Sequence, residues 1–163
     1  MTCPKRGLAL EEEIRILVID DDESIREVLT ILLEAEGYLV DTAEDGKEAI
    51  LKTNQNFYNL AIVDYRLPDA EGTYLINELK ETTPKMIKIM LTGYPSTQNA
   101  IDAVNNHAHA FIQKPIDPSS LIGKIAELLK LQQEEKNYCE ARVADFIQTK
   151  VIELKTKPIP QKC

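Results

Sequence analysis

The sequence IRILVIDDD at residues 14–22 is the stretch that decides the fold. Its first six residues form a short apolar run, which is typical of a strand buried on both faces of a parallel sheet. Three aspartates follow the run directly. Apolar residues then recur at helical spacing from Ile25 to Leu33, and Gly37 stands where a helix stops. The stretch and its continuation therefore predict a strand, an acidic loop and a helix.

The same alternation of strand and helix recurs along the chain. The pattern predicts further strands at 38–42, 59–63, 86–91 and 111–113, and further helices at 46–53, from Tyr74 to near Thr83-Pro84, at 97–105 and at 121–129. Five strands that alternate with five helices predict an α/β fold, in which helices cover both faces of a parallel sheet. Periodicity alone leaves the order of the strands open.

The composition changes beyond Leu131. Residues 132–137 are polar on every side, and apolar residues then return near helical spacing at Cys139, Val143, Phe146, Ile147 and Leu154. We therefore expect an N-terminal extension at 1–13, a domain at 14–131 and a helical extension at 132–163 whose end, KTKPIPQKC, is disordered. The apolar stripe is typical of a docking face, either on its own domain or on a partner.

The composition excludes several classes of protein. A length of 163 residues and a hydrophobic fraction of 44% suit a globular domain, and no segment is long and apolar enough to cross a bilayer. The N-terminus lacks the apolar stretch of a signal peptide, so we expect a cytoplasmic protein without a membrane partner. A net charge of −8 argues against direct binding of nucleic acid. Three widely spaced cysteines, Cys3, Cys139 and Cys163, predict neither a disulfide framework nor a metal site.

Polar side chains stand where the predicted strands end. Asp20, Asp21 and Asp22 follow the first strand, Asp64 the third, Thr92 the fourth and Lys114 the fifth. Because ligands of such sheets bind outside the carboxyl ends of the strands, these groups should gather at one edge. Carboxylates without histidine or cysteine suit Mg²⁺, with Mn²⁺ as the alternative ion. An aspartate beside that ion can accept a phosphoryl group, whose charge a lysine and a hydroxyl would offset.

Four segments together resemble the signature segments of response-regulator receiver domains. They are RILVIDDDESIR at 15–26, LAIVDYRLPDAEG at 60–72, IMLTGYP at 89–95 and FIQKP at 111–115, and they stand in the family's order. The resemblance covers residues 14–130. It implies a flavodoxin-like sheet with the strand order 2-1-3-4-5, which periodicity did not supply.

The resemblance also implies a role for each site residue. It makes Asp64 the phosphoacceptor and places Mg²⁺ on Asp64, on Asp21 directly, on Asp20 through water and on the backbone carbonyl of Arg66. Thr92 and Lys114 would contact the phosphoryl group, Thr92 and Phe111 would form the switch, and the side chains of Arg66 and Tyr94 would modulate the phosphate's lifetime. The Lys114-Pro115 bond is usually cis in the family.

A signalling function follows from the resemblance. A sensor histidine kinase would donate the phosphoryl group, and the phosphorylated chain would act on a downstream protein target by contact, with no enzymatic activity beyond its own phosphorylation and dephosphorylation. The extended C-terminal helix would serve a homodimer or a partner. Two alternatives remain: the receiver fragment of a larger DNA-binding regulator, and a small Mg²⁺-dependent phosphatase. Against the phosphatase, Arg66 stands where such enzymes carry an acid.

Some of these residues also have ordinary structural explanations. Asp22 is best explained as the cap of the first helix, and Phe111 serves equally well as a core residue. His107 and His109 have the spacing of a metal-binding pair but no third ligand nearby, so we expect solvated loop residues. The segment HAHAF at 107–111 departs from the family, because His107 stands where a glycine is common.

Overall fold

The computed structural model describes residues 12–82, 84–93, 96, 101, 105 and 107–156. Its strands form one five-stranded parallel sheet with the order β2-β1-β3-β4-β5. The strands are β1 (Arg15–Ile19), β2 (Leu39–Ala43), β3 (Leu60–Asp64), β4 (Ile87–Thr92) and β5 (Ala110–Gln113). The flavodoxin-like order is therefore confirmed, and β1 and β3 lie side by side at the point where the strand order reverses.

Helices cover both faces of the sheet. Those in the described part of the chain are α1 (Glu23–Ala35), α2 (Gly46–Gln55), α3 (Gly72–Glu78) and α4 (Pro118–Thr156). Successive strand residues point to opposite faces, so the apolar run of β1 supplies two cores at once. Ile16 and Val18 pack with α1 and α4, whereas Leu17 and Ile19 pack with α2 and α3. This two-sided burial explains why the strands read as continuous apolar runs.

The strand predictions agree with the structure to within one residue at each end. The predicted end of α3 near Thr83-Pro84 is wrong, because the helix ends at Glu78. Leu79 already has an extended backbone and is buried, and the ammonium group of the buried Lys88 donates a hydrogen bond of 2.7 Å to the carbonyl of Ile76. This tertiary contact satisfies a carbonyl group of the last helical turn, so the helix ends before it reaches the proline. The helix predicted at 97–105 lies mostly outside the described residues, of which Ile101 and Asn105 are helical.

Helix α4 runs without a break across the domain boundary predicted at residue 131. Gln132 is the last residue that it buries, and its side-chain amide donates to the carbonyls of Asn59 and Lys85, at 3.1 and 2.7 Å. The predicted disordered end begins at Lys155, which still belongs to α4 together with Thr156; residues 157–163 lie outside the described residues. Among the residues described, no helix has both the length and the apolar composition needed to span a membrane.

Two residues adopt a positive φ angle in the described chain, Gly37 at 89° and His107 at 67°. Gly37 ends α1 as predicted, since its N–H donates to the carbonyl of Glu34 at 2.9 Å. His107 occupies the position where the family commonly has glycine, and its backbone has the left-handed conformation that glycine adopts freely. Histidine therefore carries a conformational strain that glycine would relieve.

We expect opposite effects from exchanging glycine at these two positions. Gly37→Ala should lower the free energy of unfolding by about 1 kcal/mol, because a Cβ there meets nothing within 4 Å and only the positive φ opposes it. His107→Gly should raise the free energy of unfolding by about 0.5 kcal/mol. The relief of backbone strain in the folded state is partly offset by the greater conformational entropy of the unfolded chain. Urea denaturation with an unchanged m-value measures both.

Gly123→Ala is the matched control, because Gly123 lies inside α4 and its added Cβ also meets nothing within 4 Å. It should stabilise the protein by about 0.5–1 kcal/mol. Destabilisation by His107→Gly would contradict the assignment of strain.

Candidate functional site

The predicted site residues meet at the carboxyl edge of the sheet. Asp20 follows β1, Asp64 ends β3, Thr92 ends β4 and Lys114 follows β5. Ile19 is paired in register with Val63, so the residues that follow these two, Asp20 and Asp64, emerge side by side from neighbouring strands. The parallel sheet therefore assembles groups that lie up to 94 positions apart in sequence.

Three carboxylates form the centre of this edge. Asp20, Asp21 and Asp64 each offer an oxygen, and these oxygens all lie within 4.8 Å of one another. Asp20 and Asp64 are buried, with 1% and 7% of their surface exposed, whereas Asp21 is exposed. Such a set of oxygen ligands, open to solvent on one side, suits a hard divalent cation such as Mg²⁺.

Lys114 bridges two of these carboxylates. Its ammonium group lies 2.9 Å from an oxygen of Asp20 and 3.1 Å from an oxygen of Asp64. Burial disfavours the ammonium ion, but the hydrogen bonds and charges of both aspartates outweigh it and raise the pKa of Lys114. Burial, and then the nearby charge of Asp20, raise the pKa of Asp64, against the opposing effect of Lys114. One lysine thus neutralises only part of a cluster with three acids.

The aspartates that follow β1 have two different roles. Asp22 caps α1 as expected, because its carboxylate accepts hydrogen bonds from the N–H groups of Ser24 and Ile25. Asp20 points the other way: one of its oxygens accepts the N–H of Asp22 at 2.9 Å and the other meets Lys114. Arg26 fixes the same residue from α1 by donating to the carbonyl of Asp20 at 2.7 Å.

The loop after β3, residues 65–71, carries Arg66. Its backbone is held by an antiparallel bridge between Arg66 and Glu71 and by the hydrogen bond from the N–H of Gly72 to the carbonyl of Tyr65, at 2.8 Å. Gly72 permits this fold of the loop, since a Cβ at that position would come within 2.3 Å of the carbonyl oxygen of Asp64. The glycine of the LPDAEG segment therefore lets α3 begin directly against the phosphoacceptor candidate.

Asp69 is a residue of this loop that the sequence analysis did not single out. Its two carboxylate oxygens accept the N–H groups of Gly46 and Lys47, at 2.9 and 3.0 Å, in the first turn of α2. These backbone hydrogen bonds, that of Gly46 foremost, lower the pKa of Asp69. The contact ties the loop that bears Arg66 to the neighbouring helix. Acidic residues that stabilise a distant helix N-terminus leave no local spacing signal, which is why the sequence did not reveal it.

Thr92 and Phe111 lie on the same face of the sheet. Thr92 is buried, and its carbonyl accepts the N–H of Lys114 at 2.7 Å. Phe111 pairs in register with Met90, two residues before Thr92, and packs partly buried against the core beneath α2 and α3. The Lys114-Pro115 peptide bond is cis, as the resemblance implied. Tyr94, the remaining predicted residue, lies outside the described residues.

The histidines belong to no metal cluster in the part of the chain that the structure describes. His107 and His109 are both exposed, in agreement with the expectation of loop residues. The Nδ1 atom of His109 accepts the N–H of Lys88 at 3.1 Å, so this imidazole has a structural partner on β4. Partial desolvation, and then the nearby charge of Lys85, lower the pKa of His109, which favours the neutral ring that this hydrogen bond requires.

The chain matches curated proteins over about 70% of its length. The transcriptional regulatory protein GlrR of Escherichia coli (strain K12) is 33% identical over 115 residues, which are 71% of this chain and 26% of that protein. The transcriptional regulatory protein ResD of Bacillus subtilis (strain 168) is 33% identical over 118 residues, which are 72% of this chain and 49% of that protein. The chain thus spans about a quarter to a half of the length of these relatives.

Solved structures and a family model also match the chain. A response regulator receiver domain protein (CheY-like) from Methanospirillum hungatei JF-1 has a TM-score of 0.72 and 42% identity, and the match covers 76% of this chain and 98% of that one. The chemotaxis protein CheY4 of Vibrio cholerae has a TM-score of 0.66 and 26% identity, with 71% and 98% covered. The model of the response regulator receiver domain matches residues 16–126. With the strand order, the acidic edge and these matches in agreement, the chain belongs to the response-regulator receiver domain family.

Proposed function

We propose that this chain is a phosphorylation switch in which Asp64 accepts a phosphoryl group from a sensor histidine kinase. One observation carries the proposal: Lys114 bridges Asp20 and Asp64 at the edge where three carboxylates converge. A partly buried lysine between two buried aspartates neutralises them incompletely. The edge is therefore prepared for a cation and for an incoming anionic group.

The transfer uses the carboxylate of Asp64 as nucleophile. One of its oxygens forms a bond to the phosphorus atom, the bond between phosphorus and the donor's imidazole nitrogen breaks, and the imidazole leaves with that electron pair. The pKa of Asp64 is raised mainly because burial has already removed part of the solvation of its carboxylate. The carboxylate therefore loses little further solvation when the donor closes over it. Lys114 and the hydroxyl of Thr92 would then contact the phosphoryl oxygens and stabilise their charge.

The residues present fit Mg²⁺ as the bound ion, with Mn²⁺ as the alternative. Asp20, Asp21 and Asp64 supply only carboxylate oxygens. We propose Asp21, Asp64 and the carbonyl of Arg66 as direct ligands, with Asp20 bound through water. When bound, the ion would offset the negative charge that the phosphoryl group brings to a cluster of acids. The chain's own task is to hold these oxygens in place, through Arg26 on Asp20 and the closely packed Gly72 on Asp64.

Phosphorylation would reach the surface through β4 and β5. The new charge would draw Thr92 and Lys114 inward, and these two residues are already coupled through the hydrogen bond between their backbones. Phe111, on the same face as Thr92 and partly buried, is placed to follow that movement. We propose that a downstream protein reads the changed surface, that the chain acts in the cytoplasm, and that Arg66 and Tyr94 set the lifetime of the phosphate.

A groove beside the site supports a protein as donor. It has a volume of about 340 Å³ and lies between α1 and the loop that follows β5. Ile25, Val28 and Pro115 line it, together with Lys114 of the site itself. Its lining is mainly apolar and Val28 is exposed, so a helix of the kinase would bury apolar surface there while its histidine approaches Asp64.

The first test is the intact mass of the chain after incubation with acetyl phosphate and Mg²⁺. We expect one added phosphoryl group, which disappears when EDTA is included and is absent from Asp64→Asn. Asp22→Asn is the matched control, because Asp22 caps α1 and should leave the adduct intact. A folded chain without an adduct would contradict the proposal, and continued turnover of a phosphate ester would favour the phosphatase alternative.

The second test concerns the ion alone. Mg²⁺ should raise the melting temperature of the wild-type chain, because it binds only the folded arrangement of the three carboxylates. At a concentration 100 times the dissociation constant, the free energy of unfolding should rise by about 2.7 kcal/mol. Asp21→Asn should abolish most of this shift. Glu27→Gln removes the same charge from the exposed surface of α1 and should leave the shift unchanged. An equal shift in all three proteins would show screening rather than a site.

The third test concerns Asp69. Asp69→Ala removes the two hydrogen bonds that hold loop 65–71 against α2, so the carbonyl of Arg66 should lose its fixed position. We expect the Mg²⁺ affinity to fall about 10-fold, in the range that second-sphere changes produce, while the phosphorylated residue stays the same. Asp69→Asn keeps one acceptor oxygen and should recover part of the affinity. Titration of Mg²⁺ by intrinsic fluorescence or calorimetry measures both, and an unchanged affinity in Asp69→Ala would contradict the role.

A further inference from the structure

Helix α4 projects beyond the body of the domain. Gln132 is its last buried residue, and from residue 133 to 156 every side chain is exposed except that of Lys136, which pairs with Glu12. At 1.5 Å per residue, this projecting part is roughly 36 Å long. A solitary helix of that length gains little stability from its own hydrogen bonds, so its sequence should show what it packs against.

One face of α4 continues from the buried part into the projecting part. The residues at successive steps of four and three along this face are Ile125, Leu129, Gln132, Lys136, Cys139, Val143 and Phe146. Ile125 and Leu129 are buried against the sheet, and the side chain of Gln132 is buried where it donates to the carbonyls of Asn59 and Lys85. The same face therefore turns from a core contact into an exposed surface within a single helix.

The exposed part of this face is apolar. We define the distal stripe as Cys139, Val143, Phe146, Ile147 and Leu154. Val143, Phe146, Ile147 and Leu154 are exposed by 57, 63, 55 and 70%. Within the described chain, the ammonium group of Lys150 lies 5.8 Å from the centre of the Phe146 ring, and no described residue buries the stripe. A contiguous apolar stripe of this size on a soluble domain marks a site of association.

We propose that a second copy of this chain covers the distal stripe, by antiparallel pairing of two α4 helices centred between Phe146 and Ile147. In this arrangement Cys139 of one copy lies opposite Leu154 of the other, and each stripe is covered along its whole length. The contact is isologous, so it closes as a dimer. The inference is independent of the proposed function.

The position of the domain body selects the antiparallel direction. The stripe continues the helix face that contacts the sheet. The body of each domain therefore lies on the same side of α4 as the stripe, against residues 118–132. In a parallel pair in register, the second helix would have to pass through the sheet of the first copy. In the antiparallel pair centred at 146–147, the partner's Gln132 lies level with position 161, beyond the last described residue of α4. Both bodies then fit at opposite ends.

The charges along the projecting helix agree with this direction. Residues 133–145 contain four acidic and two basic side chains, whereas residues 146–156 contain one acidic and two basic side chains. Antiparallel pairing sets the acidic half of one copy beside the basic half of the other, and parallel pairing would set like halves together. A second copy thus complements the helix in shape, length and charge.

The test measures the mass of the full chain by size-exclusion chromatography with light scattering over a range of concentrations. The wild type should have twice the mass of one chain. Phe146→Glu should raise the dissociation constant about thirtyfold or more, because it places a charge at the centre of the contact. Ile152→Glu is the matched control, since Ile152 is 57% exposed on the opposite side of the same helix and should leave the dimer intact.

Disulfide trapping tests the direction. In a chain with Cys3→Ser and Cys163→Ser, the added change Leu154→Cys should give intermolecular disulfides between positions 139 and 154 on mild oxidation. The same chain without Leu154→Cys retains only Cys139 and should stay unlinked. Peptide mapping by mass spectrometry identifies the linked positions.

Three results would overturn the proposal. The first is a wild-type chain that remains monomeric at all concentrations, and the second is efficient linkage of Cys139 to Cys139, which requires a parallel pair. The third is a monomer that dimerises only after residues 1–11 are deleted, which would assign the stripe to that segment, since Glu12 lies beside Lys136. Unchanged circular dichroism and an unchanged urea denaturation curve verify that the variants are folded.

Discussion

The crowding of three carboxylates at one edge of the sheet is the constraint on which the rest of the structure depends. Asp20 and Asp64 are buried side by side, and such a pair is stable only if positive charge is supplied. Lys114 supplies part of it from the loop after β5, and a divalent cation would supply the remainder. In the proposed function, the unfavourable electrostatics of the edge would be its means of recognition, since they would favour binding of a cation and, through the cation, of a phosphoryl group.

The surrounding loops are built to maintain that crowding. Gly72 allows α3 to begin in contact with the carbonyl of Asp64, and Asp69 fastens the intervening loop to the first turn of α2. Arg26 holds the backbone of Asp20 from the other side. None of these groups is itself a proposed ligand of the ion or of the phosphoryl group. Each limits the movement of a residue of the acidic edge, which is how a small domain keeps ligand oxygens at fixed separations.

Helix α4 joins this site region to a surface at a distance. Its first part packs Leu121, Ile125 and Leu129 against β1, β3 and β4, and the same face then leaves the body as the distal stripe. Because the helix is continuous, the direction of the stripe is set by the packing of the domain itself. An assembly formed through the stripe would therefore hold the two acidic edges at a defined separation, with each body at one end of the paired helices.

The sequence by itself determined the strands, to within one residue, and the polar residues that follow them at the carboxyl edge, because apolar runs and the polar residues that end them are local features. These residues are Asp20, Asp21, Asp64, Thr92 and Lys114. The resemblance to receiver domains supplied the strand order. The sequence misplaced the end of α3, which depends on the buried Lys88, and it overlooked Asp69, whose partners lie 22 and 23 residues away. Only the tertiary structure decided these points. It also showed that the distal stripe lies on the same face of α4 as the residues that contact the sheet. Contacts between distant segments depend on how the elements pack, and packing leaves no periodic signal in the chain.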